Sequence, residues 1–242
     1  TQGYSSAASD VYKRQVYYLS MRKNVIFTIV FAAVIAGLVQ LHSYSQKEMA
    51  NAVSELTITS IDGIADISYP SAVEERNDIP FVKLIDPEVR KSIPDSVDVE
   101  IYRPGKIFLA KGFNADDPAQ LKNFSNIVIS GNVIDGFNSD NLTDEAVTQI
   151  STSVKASVEQ NAAQSSFLIS DWTDKPAEEI NGAKVLRYEY KQINSADRIT
   201  CMALTYLFKG NKQVEVLMSA QEKEYAEWAA INDKIVSGIV IK

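Results

Sequence analysis

The stretch NGAKVLRYEYKQINSADRITCMALTYLFKGNKQVEVLMS, from Asn181 to Ser219, carries the strongest structural pattern in the chain. Three segments rich in β-branched and aromatic residues, Ala183 to Lys191, Ile199 to Phe208 and Gln213 to Ser219, are separated by polar residues and glycine. Such segments, with turn residues between them, are typical of strands that pair with their sequence neighbours. The stretch therefore predicts an antiparallel meander.

Further strands are predicted on the N-terminal side of the meander. Two hairpins have turns at Asp62-Gly63 and Arg103-Pro104-Gly105, where glycine or proline suits a tight turn. Single strands follow at Asn126 to Ile134, with Gly131 as a candidate bulge, and at Ser166 to Trp172.

Two helices interrupt this strand pattern. Between Leu142 and Ala162, apolar residues recur at helical spacing on one stripe, and Thr143 can cap the first turn. A second helix is predicted from Glu222 to about Val236, followed by a short strand at Ile239 to Ile241. These patterns predict an α+β fold in which helices lie against an antiparallel sheet.

The sequence resembles the Mog/PsbP-like family at several points between Leu56 and Lys242. The points of likeness are Tyr69-Pro70, Asn181-Gly182, Tyr188, Tyr190, Tyr206 to Phe208, Trp228 and Ile235 to Ile241. The resemblance implies an antiparallel sheet between helices, an αβα sandwich, and a family of mostly accessory and binding proteins. The segment Ser71 to Ser96 is richer in proline and acids than that family suggests.

The N-terminal residues predict processing rather than folding. Asp10 to Gln15 resembles the in-frame translation of a sequencing-library adapter, so residues 1–20 are interpreted as a non-native leader, with a native extension as the alternative. Residues 21–45 have a basic start, an apolar run and small residues at Ser43 and Ser45, which together predict a signal peptide cleaved before Gln46. A retained membrane anchor is the alternative, because the apolar run approaches the roughly 17-residue minimum for a spanning helix.

Residues 46–242 are predicted to form a single domain with an anionic surface. The whole chain has a net charge of −7, and the part after the predicted cleavage contains 20 basic and 30 acidic residues, a charge of −10. Scattered basic residues on an anionic surface disfavour binding to nucleic acid or anionic lipid. We therefore expect no nucleic-acid partner and no stable membrane insertion after signal cleavage.

Histidine and cysteine usage excludes several classes of chemistry. The sole histidine, His42, lies inside the predicted signal, which excludes histidine-based catalysis and histidine-ligated metals in the mature protein. The sole cysteine, Cys201, permits no internal disulfide and no thiolate cluster. Because both faces of the Cys201 strand are apolar, we expect a buried, inert thiol rather than a nucleophile.

Two groups of side chains are candidate sites. Acidic residues cluster around loops but miss the spacing of a calcium-binding loop, because Phe137 stands where an oxygen ligand is needed, so solvated loops are expected. These acids are Asp116, Asp117, Asp135, Asp140, Asp144 and Glu145. Tyr188, Tyr190 and Tyr206 are predicted to form an aromatic strip on one sheet face, serving either as core packing or as the wall of a ligand groove.

The sequence predicts an exported, non-catalytic binding or accessory protein of the bacterial cell envelope, periplasmic or secreted. An unknown envelope protein or a small ligand is the expected partner, and no catalytic, cofactor or metal residue is assigned. The alternatives are a carboxylate-dependent hydrolase, which needs two acids in a cleft, and an ion-dependent adhesion module.

Overall fold

The computed structural model describes residues 56–84 and 105–242. The predicted leader and signal lie outside these ranges, as does Val97 to Tyr102, which the sequence predicts as the first strand of the hairpin around Arg103-Pro104-Gly105. The strands are β1 (Leu56–Ile61), β2 (Ala65–Pro70), β3 (Val73–Glu75), β4 (Lys106–Ala110), β5 (Asn126–Val133), β6 (Leu168–Asp174), β7 (Glu178–Ile180), β8 (Ala183–Ile193), β9 (Ile199–Lys209), β10 (Lys212–Gln221) and β11 (Ile239–Ile241). The helices are α1 (Pro118–Lys122), α2 (Asp144–Gln164) and α3 (Tyr225–Ser237). Short 3-10 turns lie at Phe81–Lys83, Ser139–Asn141 and Glu222–Glu224.

The predicted meander forms the centre of an antiparallel sheet. Eight strands pair in the order β3-β4-β5-β10-β9-β8-β6, and β7 continues the β6 edge beside β8. Two-residue turns join β7 to β8 and β9 to β10, whereas residues 194–198 join β8 to β9. In the β7–β8 turn, Asn181 and Gly182 both have positive φ, 52° and 72°, as a tight hairpin requires. The α+β prediction is confirmed by this antiparallel sheet and its flanking helices.

A second, three-stranded sheet in the order β1-β2-β11 was not predicted as separate. The β1–β2 hairpin around Gly63 was predicted, but the last strand of the chain joins it through Ile239 opposite Ile67. Such pairing joins segments far apart in sequence, which local patterns do not reveal.

The two faces of the large sheet are covered by different elements. The α3 face includes Val185, Leu207, Val214 and Val216, which pack with α3 and the small sheet in one fully buried core. The α2 face includes Leu186, Tyr188, Tyr190, Met202, Leu204 and Phe208, and α2 lies against it. Alternation along the strands separates the two sets, as the period of two predicts.

Gly131 is not a bulge, contrary to the sequence interpretation. It pairs in regular register with Val214 in the β5–β10 ladder. A side chain at this position would lie 3.1 Å from Ile64 Cγ2 and 3.2 Å from Ile61 Cγ2. The glycine therefore lets the small sheet approach the large one, which is the other common reason for glycine within a strand.

The two long helices were predicted within a few residues of their observed ends. Thr143 caps α2, because its hydroxyl accepts a hydrogen bond from the Ala146 amide at 3.3 Å. The apolar spacing of α3 predicts that Tyr225, Trp228, Ile231 and Ile235 are buried; the last three are buried, and Tyr225 is partly buried against the same core. The described part of the chain contains no helix that is both long and apolar enough to cross a membrane.

Candidate functional site

A groove of about 590 Å³ lies between α2 and the sheet face that α2 covers. Strands β8, β9 and β10 form its floor with Tyr190, Leu204 and Leu217, and α2 forms its wall. A second cavity, of about 540 Å³, lies along the N-terminal half of α2 and shares Ser153 and Val154 with the groove. Open space therefore follows much of the helix length.

The groove exists because α2 is packed loosely. The apolar stripe predicted from the sequence does face the sheet, but its members Val147, Ile150, Val154 and Val158 are only partly buried. Ala162 is the only fully buried residue of the helix. Since close packing of these residues would bury them, their exposure marks the space between helix and sheet.

Polar residues of α2 line the open side of the groove. Ser153, Ser157 and Asn161 follow one another at intervals of four residues, so they lie on one side of the helix, beside the apolar stripe. The wall consequently offers hydroxyl and amide groups above an apolar floor. This combination is common in sites for small ligands.

The three tyrosines singled out in the sequence lie on one face of the sheet, as predicted, and this is the face that α2 covers. The ring centroids of Tyr188 and Tyr206 are 6.3 Å apart, while Tyr190 stacks on Trp172 at 5.2 Å. Tyr206 in turn contacts Phe208 at 6.1 Å, so the rings form a continuous aromatic strip.

Members of the strip differ in what they contact. Tyr188 is buried, and its hydroxyl lies 3.1 Å from the Ser151 hydroxyl of α2, which fixes it in the core. Tyr190 and Tyr206 line the groove. Both uses that the sequence left open, core packing and groove wall, are therefore present in one strip.

Glu215 is an acidic residue on the floor of the groove. It lies in the middle of β10, opposite Tyr206 of β9 and Ser130 of β5, away from both sheet edges. Burial raises the pKa of Glu215, although its hydrogen bond with the Tyr206 hydroxyl partly offsets this effect. Desolvation likewise raises the pKa of Tyr206 and brings that of Tyr190 to about 12.

Sequence reasoning missed Glu215. The only available signal was its position: Val214, Val216 and Met218 alternate toward the α3 face, which places Glu215 with Leu217 on the α2 face. An isolated acid within an apolar strand is the kind of exception that marks a site.

Cys201 lies away from the groove, with Ala203 and Leu207 on the side of β9 that faces α3. Its thiol is buried, as predicted, and burial is the main factor that raises its pKa. A raised pKa keeps the thiol protonated, which makes it a poor nucleophile and metal ligand.

The candidate acids do not converge on the groove. Asp117 caps α1 by accepting from the Ala119 amide at 2.9 Å, and Asp116 contacts Lys83 at 3.3 Å. Asp144 and Glu145 occupy the first turn of α2, where the helix dipole favours them, and Asp135 and Asp140 are exposed. Among residues 56–84 and 105–242, no group of three or more metal-binding side chains is close enough together to hold an ion.

Comparison with known proteins finds likeness in structure. The chain matches no protein-family model, and no curated protein is significantly similar to it. The solved structures that it resembles include cyanobacterial PsbP (CyanoP) from Synechocystis sp. PCC 6803, with 15% identity and a TM-score of 0.49 over 78% of this chain and 94% of that protein. LpqN of Mycobacterium tuberculosis, described as involved in cell envelope biogenesis, has 10% identity and a TM-score of 0.44 over 78% of this chain and 91% of LpqN.

These likenesses concern the fold. One of the two structures is a PsbP protein, from the family that the sequence resembles. The chain's own antiparallel sheets and flanking helices give it an α+β architecture.

Proposed function

We propose that residues 46–242 form an exported, non-catalytic binding protein of the bacterial cell envelope, and that it holds a small ligand in the groove beneath α2. The observation that carries this proposal is the groove itself, with its apolar floor, polar wall and single half-buried acid. A concave apolar site with a few polar groups is the usual form of a small-molecule site.

The non-catalytic part of the proposal rests on the chemistry of the lining. A glycosidase-type hydrolase needs two carboxylates facing one bond, separated by roughly 5–10 Å. Among the described residues that line the groove, Glu215 is the only acid, and the Cys201 thiol is buried on the opposite face of the sheet. With His42 inside the predicted signal, the mature chain has no imidazole to act as a base.

Blocking the groove tests whether it binds a ligand. Nile red is an uncharged dye that fluoresces in apolar sites, and we expect the protein from Gln46 onward to bind it in one saturable site. Ser157→Trp should abolish or strongly weaken this binding, because Ser157 is exposed on α2 and its side chain borders the groove.

Gln160→Trp is the matched control, since it adds the same indole to an exposed position of α2 that does not line the groove. Equal dye binding by wild type and both variants would show that the dye binds elsewhere, and would contradict the groove as the ligand site.

Export is tested by the mature N-terminus. We expect N-terminal sequencing of the protein recovered from a bacterial periplasm to begin at or near Gln46, because Ser43 and Ser45 supply the small residues that signal peptidase reads. A membrane-embedded product that still contains Arg22 would contradict cleavage and support the anchor alternative.

A further inference from the structure

Glu215 determines the electrostatics of the groove. It is the only charged residue among the described residues that line the groove, which otherwise contribute aliphatic, tyrosine, serine and amide groups. Its place in the middle of a central strand keeps the carboxylate away from the sheet edges, where water would solvate it fully. A charge in such surroundings interacts more strongly with a ligand than a charge on an open surface does.

The carboxylate keeps acceptor positions for a ligand. Tyr206 supplies one hydrogen bond, whereas two carboxylate oxygens offer about four lone-pair positions. No Lys or Arg among the described lining residues neutralises the charge. A cationic ligand would therefore compensate the desolvation of Glu215, and an anionic ligand would be repelled by it.

The aromatic strip favours the same charge. Tyr190 and Tyr206 line the groove beside Glu215, and the faces of aromatic rings attract ammonium groups. The strip already contacts one ammonium group on the other side of α2, where Lys155 Nζ lies 6.0 Å from the centroid of the Trp172 ring. Carboxylate and rings together are chemically suited to an organic ammonium ion.

The remainder of the groove suits an aliphatic chain. Leu204 and Leu217 form an apolar floor, and Val154 and Val158 face it from the helix. We propose that the groove binds an organic ammonium ion with an aliphatic tail, its positive charge at Glu215 and its tail between α2 and the floor. This inference rests on the proposed function, because it specifies the ligand of the same groove.

Three probes with the same alkyl chain separate charge from hydrophobicity. Isothermal titration calorimetry would compare octyltrimethylammonium, 1-octanol and octyl sulfate, all below micelle-forming concentrations, with the protein from Gln46 onward. We expect the ammonium probe to bind about tenfold or more tightly than the alcohol, and the sulfate to bind most weakly. The trimethylammonium group carries its positive charge at every pH, so the difference in affinity between the probes does not depend on the protonation state of the probe.

Glu215→Gln tests the residue assigned to the charge. This variant keeps the size of the side chain and removes its charge, so the preference for octyltrimethylammonium over 1-octanol should disappear while binding of the alcohol persists. Glu227→Gln is the control, since Glu227 is exposed on α3 and its loss changes the net charge of the protein equally. Circular dichroism verifies that both variants are folded.

The outcomes separate this inference from the proposed function. If the ammonium and the alcohol bind equally in the wild type, or if Glu227→Gln weakens the ammonium as much as Glu215→Gln does, the ammonium site is overturned and the groove stands. If none of the probes binds, both proposals fail.

A trimethylammonium group occurs both in soluble ammonium ions and in the headgroup of phosphatidylcholine. Flotation of the protein with phosphatidylcholine vesicles distinguishes these two sources of the ligand. Flotation that requires Glu215 assigns the lipid headgroup, and binding of the octyl probe without flotation assigns a soluble ammonium ion.

Discussion

Glu215 lowers the stability of the folded protein, because its carboxylate lies within the sheet. A carboxylate that folding partly removes from water is harder to ionise, which is why its pKa is raised above the usual value of 4.5. Between Val214 and Val216, which are both fully buried, an apolar or small polar residue would serve the sheet equally well. A costly charge is more readily explained by binding than by folding.

This cost predicts how stability depends on pH. Above its raised pKa, Glu215 is ionised in both states but less well solvated in the folded one, so it lowers the free energy of unfolding. Below pH 4.5 it is protonated in both states and the cost is absent. We expect Glu215→Gln to stabilise the protein at pH 7 by about 1 kcal/mol, and the difference from wild type to shrink as the pH falls.

Urea denaturation at pH 7 and pH 4 measures this difference directly. The exposed acid Glu227 provides the control, because Glu227→Gln should change stability little at either pH. A Glu215→Gln variant that is less stable than wild type at pH 7 would show that the carboxylate stabilises the fold through Tyr206.

The sequence predicted the aromatic part of the site and missed the acid. Tyr188, Tyr190 and Tyr206 could be placed on one face, because strand alternation needs only local sequence. The role of Glu215 depends on the gap beneath α2, which results from how closely the helix packs. No periodicity in the sequence reports packing distance, since a half-buried stripe and a fully buried one have the same pattern.

At the scale of elements, the two long helices differ in how tightly they are bound to the sheet. In α3, Trp228, Ile231, Ile235 and Val236 are buried, and the helix joins the core that also contains the small sheet. In α2 the corresponding apolar residues remain half-exposed. The sequence predicted both helices alike, as amphipathic elements across a sheet.

Two matched substitutions measure this difference. Ile235→Ala in α3 removes a side chain with no exposed surface and should cost about 2–5 kcal/mol. Ile150→Ala in α2 removes the same atoms from a half-buried position and should cost clearly less, about 1 kcal/mol. Urea midpoints at constant m-value provide both numbers, and equal losses would contradict the loose packing of α2.

At the scale of the whole molecule, the fold is held together by contacts between its two sheets. The Asn181 side-chain amide, in the β7–β8 turn, donates to the carbonyl oxygens of Ser237 at 3.0 Å and Ile239 at 2.8 Å. These carbonyls lie at the end of α3 and the start of β11, so one side chain joins the large sheet to the small one.

Removing this link should destabilise the protein without disturbing the turn. Asn181→Gly retains a residue that readily adopts the positive φ of 52° but loses both donors, and we expect it to cost about 1 kcal/mol in thermal denaturation. Asn181→Asp keeps a residue that tolerates the turn and also lacks the donors, so it should be destabilised as well. Wild-type stability in both variants would show that the contact contributes nothing.

Much of the whole-molecule architecture followed from the meander, and the rest required long-range pairing. The order β8-β9-β10 follows from strand patterns joined by short turns. The pairing of β5 with β10 and of β6 with β8, at the two sides of the meander, is not visible in local sequence patterns. β3 lies in the acid-rich segment after Ser71 and was not predicted, because three residues are too few to show alternation.

Because α2 packs loosely against the sheet, its backbone amides should exchange with solvent differently from those of the central strands. Amides of β9, which is paired along its length with both β8 and β10, should exchange with solvent deuterium only when the whole domain opens. Amides of α2 should exchange through smaller, more frequent openings, because little buried surface holds the helix in place. A ligand bound in the groove would slow amide exchange in α2 more than elsewhere, so the exchange rates of this one helix would report binding.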